Sequence, residues 1–356
     1  MTLQEFAKKD IPWISNNEVV LSSRIRLARN IKGYNFPKKC SKKDQEEIYN
    51  VVFRSALKKY SRSSPVTSAK LLEHTKTDKF LLMERHLISH ELTSKERGEP
   101  GVIFFEDERA SIMVNEEDHI RIQAISQGIS FNRIWELASS IENNLESEMD
   151  FCFHEKYGYL TSCPTNAGTG LRVSCLLHLT AISYRNEIEN LTRWLEKLPV
   201  TARGFYGEGT KPIGDIVQIS STTTIGQNET QIRKNFEKII QTIVNYEKKA
   251  LETLSPEERI SLEDSIWRSY GILKYSKMMN SEEAIFHIMK LRFGILLGLN
   301  LNINPRELNQ LIFKIQPGHL QTLYNRELSA QNRDILRSEL IRKTLFKEGT
   351  KNDKVY

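Results

Sequence analysis

Alternation of apolar and polar residues begins at residues 18–29, EVVLSSRIRLAR. Val20, Ser22, Arg24, Arg26 and Ala28 fall on one side, and Leu21, Ser23, Ile25 and Leu27 on the other. That is the two-residue period of a strand, so Arg24 and Arg26 share a face. The pair fits either a solvent-facing edge or two guanidinium forks converging on one polyanion. A helical period follows at 43–59, with Ile48, Val51, Val52, Ala56 and Leu57 inward, and a strand or short helix at Leu81–Met83 precedes His86. Gly101–Phe105 and Ser111–Val114 bracket the turn EDERA as a hairpin, and the second strand runs into NEEDHIRI. Further helices are predicted at 132–149, 183–198 and 228–254. Leu160–Thr161, Leu171–Leu179 and Asp215–Ser221 read as strands.

Ser255, Pro256 and Glu258 form an N-cap, a first-turn proline and a capping box. Beyond them only helices are predicted, at roughly 258–279, 281–299, 305–315 and 331–347. The pattern divides the chain at 255/256. Residues 1–255 form an α+β unit with an antiparallel sheet flanked by helices, and residues 256–356 a smaller all-helical domain.

Composition changes this picture little. The 356 residues are 39% hydrophobic and 27% charged, as in ordinary globular protein, and 51 basic against 45 acidic residues leave +6. No dense basic tract or zinc-finger spacing points to direct nucleic-acid binding. The longest apolar run, Phe293–Leu299, is far short of a membrane span, and the N-terminus has no apolar signal core. A cytoplasmic protein without disulfides is expected. Cys40, Cys152, Cys163 and Cys175 form no CxxC pair, and Cys152 with His154 reads as strand rather than as a metal site.

Three stretches carry candidate chemistry. CPTNAGTG, residues 163–170, is a tight loop in which Gly168 and Gly170 can adopt positive φ and let backbone approach a ligand; Arg172 opens the strand behind it. Glu116, Glu117 and Asp118 stand together beside His119 and Arg121. TARGFYGEGTKPIGD, 201–215, combines Arg203 and Glu208 with four glycines, as a ligand-closing loop would. Arg24, Arg26, Arg121, Arg172 and Arg203 are then five arginines on strand ends and turns, suited to a nucleotide triphosphate and its transferring phosphoryl group. There is neither a Walker loop nor the protein-kinase motif set, so an arginine cage would replace the P-loop.

CPTNAGTGLR, NEEDHIR, SSRIRLARNIKGY and RGFYGE together resemble the guanidino phosphotransferases, the family of the arginine and creatine kinases, over about residues 18–221. The helical N-terminal domain of the metazoan members is missing, GFYGE lacks their second arginine, and a helical C-terminal domain is added. That combination is similar to the bacterial protein arginine kinases of the McsB type. The resemblance implies nucleotide contacts along Ser23, Arg24, Ile25, Arg26 and Leu27, at His86 and Arg121, along Arg172, Val173, Ser174, Cys175 and Leu176, and along Arg203, Gly204, Phe205, Tyr206, Gly207 and Glu208. It implies that Glu117 and Glu208 clamp the substrate guanidinium, with Cys163 against it as thiolate. It implies ATP with Mg2+ carried on the phosphates rather than on protein ligands. In NRDILRS, Arg333, Asp334, Arg337 and Ser338 stand where the McsB type has an RDxxRA phosphoarginine pocket, Ser338 replacing the alanine. Arg333 and Arg337 otherwise read as an exposed helix face with an internal ion pair. Expected partners are protein substrates with exposed arginines, a second copy of the chain, the activator McsA, the ClpC–ClpP protease and the repressor CtsR. A kinase of free arginine and a non-catalytic phosphoarginine adaptor are the alternatives; intact Glu117, Glu208 and Cys163 speak against the adaptor.

Overall fold

The structure, a computed structural model, describes residues 3–16, 19–60, 65–204 and 213–346. Among the described residues there are ten strands: β1 (Val20–Arg29), β2 (Val66–Lys70), β3 (Gly101–Phe105), β4 (Ala110–Val114), β5 (Ile120–Gln127), β6 (Phe153–His154), β7 (Gly158–Tyr159), β8 (Leu171–His178), β9 (Val200–Gly204) and β10 (Ile216–Ser221). β6 and β7 form a small ribbon. The others form one antiparallel sheet in the order β2-β3-β4-β5-β1-β8-β10-β9. The arginine-bearing β1 is therefore an interior strand, paired with β5 on one side and β8 on the other, and not an edge.

The helices are α1 (Leu3–Lys8), α2 (Lys42–Tyr60), α3 (Lys76–Glu84), α4 (His90–Thr93), α5 (Phe131–Glu146), α6 (Thr180–Tyr184), α7 (Ile188–Leu195), α8 (Glu229–Glu252), α9 (Pro256–Tyr275), α10 (Ser281–Leu296), α11 (Pro305–Lys314), α12 (Pro317–Leu323) and α13 (Ala330–Phe346). The expected helix at 183–198 is two, because Asn186 adopts φ +57° between them. Leu160–Thr161 is not a strand. The expected capping box is present: Ser255 accepts from the Glu258 N–H while the Glu258 carboxylate receives the Ser255 N–H.

One face of the sheet is mainly apolar. Ile25, Leu27, Ile122, Val173, Cys175 and Ile219 pack there with α2, α5 and α8. The other face is divided. Val102, Phe104 and Met113 on its β3–β4 side are covered by α1 and α3. Leu21, Ile125, Leu176 and Ile216 are covered by Trp13 and the helices α9, α10, α11 and α13. The C-terminal helices thus share a core with the sheet. Between the two covers the polar residues of β1, β5, β8, β9 and β10 stay open as a cleft.

Candidate active site

Strand register aligns the arginines. Arg26 lies opposite Arg172 of β8, Arg24 opposite Ser174, Ala28 opposite Arg121 of β5, and Arg203 of β9 opposite Gln218 of β10. Alternation sends all of these to the open face. Arg24 is fixed there by its own bonds, Nε donating to Ser174 Oγ at 3.2 Å and Nη2 to Gln218 Oε1 at 3.1 Å. The cleft they floor has a volume of about 490 Å³, and its walls include His86, Glu117 and Cys163. Burial and the charges of Arg172 and Arg121 lower the Arg24 pKa to about 10; burial and the charges of Arg24, Arg121 and Arg172 depress Arg26 well below its ordinary value, against Glu116. Like charges held this close without a polyanion cost free energy, which a bound anion offsets.

The acceptor end is built by the turn between β4 and β5. Asn115 takes φ +55°, and its amide donates to the carbonyls of Gln45 and Glu99 at 2.9 and 2.8 Å. Lys95 donates to the carbonyls of Asn115 and Glu116. The three acids then part. Glu116 is buried and pairs with Arg121 at 2.5 Å. Asp118 is buried, and its Oδ1 accepts from Asn30 Nδ2 and from the Ser162 N–H, each at 2.7 Å, tying the turn to the cysteine loop. Glu117 faces the cleft. Its Oε2 accepts from Arg121 Nη2 at 3.1 Å and Asn166 Nδ2 at 3.2 Å. Burial, opposed by Arg121 and aided by Asp118, Glu91 and Glu116, raises its pKa, the direction a base needs. His119 is structural: the Ile31 N–H donates to its Nδ1 at 3.1 Å, so its Nε2–H donates to the Asn35 carbonyl at 2.8 Å.

The loop 163–170 holds Cys163 at the cleft, its Sγ 3.0 Å from Thr165 Oγ1. Gly168 and Gly170 do adopt φ +100° and +60°. The close approach they permit is to the protein's own backbone: a Cβ at Gly168 would lie 2.2 Å from the Thr224 carbonyl oxygen, and one at Gly170 2.6 Å from that of Ala28.

His86 is also in the wall, at φ +58°, with its carbonyl accepting from Gln123 Nε2. Its ring stacks on Trp13 at 4.6 Å. Burial, with Arg24 and Arg26 nearby, lowers its pKa to about 3, so it is neutral.

Eight of the expected residues therefore meet in one cleft: Arg24, Arg26, His86, Glu117, Arg121, Cys163, Arg172 and Arg203. Ser174 joins them through Arg24. Six others do not bring side chains to it. Ile25, Leu27, Val173 and Cys175 point into the core on the opposite face, and Ser23 on that side donates to the Gly128 carbonyl at 2.7 Å. Leu176 shares the open face but lies under the C-terminal helices. Gly204 ends β9, while Phe205, Tyr206, Gly207 and Glu208 lie outside the described residues. Asn166, Gln218, Glu91, Phe313 and Gln316 line the cleft without having been singled out. Asn166 stood in the CPTN motif, and the alternation of IVQISS marks Gln218 as facing outward from its strand; Phe313 and Gln316 gave no signal.

In the C-terminal helices Arg337 is buried. It donates to the carbonyls of Ile315 at 2.9 Å and Met279 at 2.7 Å, and to Asp334 Oδ1 at 2.5 Å. The motif is not an exposed face with a simple ion pair. Arg333 donates to the Leu328 carbonyl at 2.8 Å, and Ser338 is buried.

Residues 47–250 match the family model of the ATP:guanido phosphotransferase C-terminal catalytic domain, and residues 259–355 that of the protein-arginine kinase McsB C-terminal domain. A protein-arginine kinase of Caldanaerobacter subterraneus subsp. tengcongensis is 38% identical over 334 residues, 94% of this chain and 98% of the relative. One from Symbiobacterium thermophilum is 41% identical, over 92% of this chain and 93% of its own. Among solved structures, lombricine kinase superposes with a TM-score of 0.59 at 21% identity, over 71% of this chain and 72% of that one. The duplicated taurocyamine kinase from Schistosoma mansoni, with bound transition-state-analogue components, gives 0.59 at 24% identity, over 68% and 35%. These two likenesses establish the fold. With two family models spanning most of its length and full-length relatives at this identity, the chain belongs to the protein-arginine kinase family of ATP:guanido phosphotransferases.

Proposed function

We propose that this chain transfers the γ-phosphoryl group of ATP to a guanidino nitrogen of arginine side chains in proteins. The observation that carries the reading is the convergence of five arginines from four strands on one cleft that also holds Glu117 and Cys163. An arginine side chain is cationic at neutral pH, and baring a nucleophilic nitrogen costs roughly 7 kcal/mol. A general base supplies about 3–5 kcal/mol. In-line positioning and charge stabilisation on the phosphates supply the rest. Glu117, oriented by Arg121 and Asn166, holds the guanidinium and takes its proton. Cys163 lies against the same group, and Glu208 is assigned as the second carboxylate. Arg24, Arg26, Arg121, Arg172 and Arg203 hold the phosphates. Among the described residues no three His, Cys, Asp or Glu side chains come together as a metal site. The magnesium of the reaction is assigned to phosphate oxygens and water, where it would supply further neutralisation of charge.

The finer assignments go with this reading. Arg333, Asp334, Arg337 and Ser338 are proposed to receive phosphoarginine, with Arg337 exchanging a carbonyl partner for phosphoryl oxygens. Exposed Ile260, Trp267 and Tyr275 on α9 support pairing with a second copy. Among the described residues no helix is long and apolar enough to cross a membrane; the site of action is taken to be the cytoplasm. There the phosphorylated proteins would be marked for ClpC–ClpP, McsA would activate, and CtsR would be the regulated stress repressor. Incubation with labelled ATP and magnesium tests the central claim. Acid-labile label on unfolded protein and none on free arginine is the expected result. Label on free arginine alone selects the phosphagen-type kinase, and no label at all the adaptor.

A further inference from the structure

The cleft has a direction. From the loop carrying Cys163, β8 runs through Arg172 and Ser174 to Leu176, while β1 returns beside it through Arg24 and Arg26. Six residues of strand cover roughly 20 Å, enough for an extended nucleoside triphosphate. If the γ-phosphoryl faces Glu117 and Cys163, the base lies toward the C-terminal helices. His86 stands on that side, its carbonyl held by Gln123, two residues further along β5 than Arg121.

His86 is not held by the catalytic sheet alone. Trp13 stacks on one side of its ring, and Phe313 of α11 meets it edge-on at 5.8 Å while packing against Trp13 at 4.9 Å. The helix that follows α11, α12, is itself pinned. Glu84, two residues before His86, accepts the N–H groups of Gly318 and His319 at 2.7 and 2.8 Å. Gly318 sits so close that a Cβ would lie 2.6 Å from the Leu81 nitrogen.

We propose that Phe313 is a positioning residue for the nucleotide: together with Trp13 it sets the His86 ring against the base, so that the C-terminal helices determine nucleotide affinity. This rests on reading the cleft as an ATP site. Phe313 acts through His86, by a ring-to-ring contact.

The test is calorimetric, on the full-length protein. ADP and inorganic tripolyphosphate are titrated into the wild type, Phe313→Leu, Phe313→Tyr, His86→Ala and the double variant His86→Ala/Phe313→Leu. Phe313→Leu keeps the apolar bulk and should weaken ADP about fivefold while leaving tripolyphosphate unchanged. Phe313→Tyr, which keeps the ring, should restore ADP binding. In the His86→Ala background the second change should add nothing. Equal ADP affinity for wild type and Phe313→Leu overturns the proposal. So does an equal loss for both ligands, which marks general damage to the fold, and so does a loss that adds to that of His86→Ala. A wild type that binds neither ligand overturns the ATP reading itself.

Discussion

Arg337 donates through Nε to the Ile315 carbonyl at 2.9 Å, and the next residue, Gln316, lines the catalytic cleft. A motif on the last helix is thus one peptide away from the wall of the site. On the proposed reading, a phosphoarginine drawing Arg337 off that carbonyl would free the chain leading into α12, the helix Glu84 grips from the other side. Coupling between the two places needs no longer path than this.

Glu117→Gln removes the proposed base while keeping a group that Arg121 and Asn166 can still flank. Turnover should fall by about 10²–10⁴, with ADP affinity within about twofold because the arginine cage is intact. Steady-state kinetics beside calorimetry decide it. Near-normal turnover removes Glu117 from the chemistry.

Arg26→Met should move stability and function in opposite directions. Burial, and after it the charges of Arg24, Arg121 and Arg172, depress the pKa of its guanidinium. Without ligand, the variant should be more stable by on the order of 1 kcal/mol and so unfold at a higher temperature. Its ADP affinity should drop about 10- to 100-fold, the loss of a charged hydrogen bond. A lower melting temperature in the ligand-free protein would show that the cluster is not strained.

Glu84 gives a pH dependence. Burial, against the Gly318 and His319 N–H groups and Arg337, raises its pKa to about 8 from an ordinary value of 4.5. The fold favours the neutral acid. Its contribution is fully present below about 4.5 and is lost as pH rises through about 8. Glu247, raised to about 7 mainly by burial, acts in the same sense. Glu84→Gln stays neutral, so its urea midpoint should fall less between about pH 5 and 8 than that of the wild type. Parallel curves refute the assignment.

Gly170→Ala and Gly33→Ala separate two costs. Both glycines have positive φ, +60° and +91°, and alanine there costs on the order of 1 kcal/mol in backbone strain. At Gly33 a Cβ meets nothing within 4 Å; at Gly170 it meets Ala28 O at 2.6 Å and Arg29 Nη1 at 2.5 Å. Thermal melts should rank Gly170→Ala well below Gly33→Ala, with activity lost only in the former, where the loop carrying Cys163 must shift. Equal melting points would mean that the loop yields freely.

Much of this was legible in the chain because a strand's period is two. Once Arg24 and Arg26 were placed on one face, register did the rest, and β8 and β5 delivered Arg172 and Arg121 to the same surface. Gly168 and Gly170 were legible as positive-φ positions, yet what they approach was not, since Thr224 and Ala28 are neighbours only in the fold. IRIQAIS carries the alternation of β5, but the acids before it drew attention to the turn, and β2 and β9 were too short to stand out. The run reading RVSCL merged two faces: Val173 and Cys175 belong to the core, and only Arg172 and Ser174 to the cleft. Phe313 lies about 230 residues from His86 in sequence, and nothing local marks a contact across that distance.

The seam at Ser255–Pro256 divides the chain but not the packing, since Leu21, Ile125, Leu176 and Ile216 share one apolar cluster with Ile288, Phe293 and Leu311. Separately made, residues 1–255 would bare that cluster to water and the remainder would bare its mate. Mixed together, the two pieces carry the instructions for complementation: each is the other's missing solvent-excluded surface, and catalysis recovered on mixing would count the joined molecules.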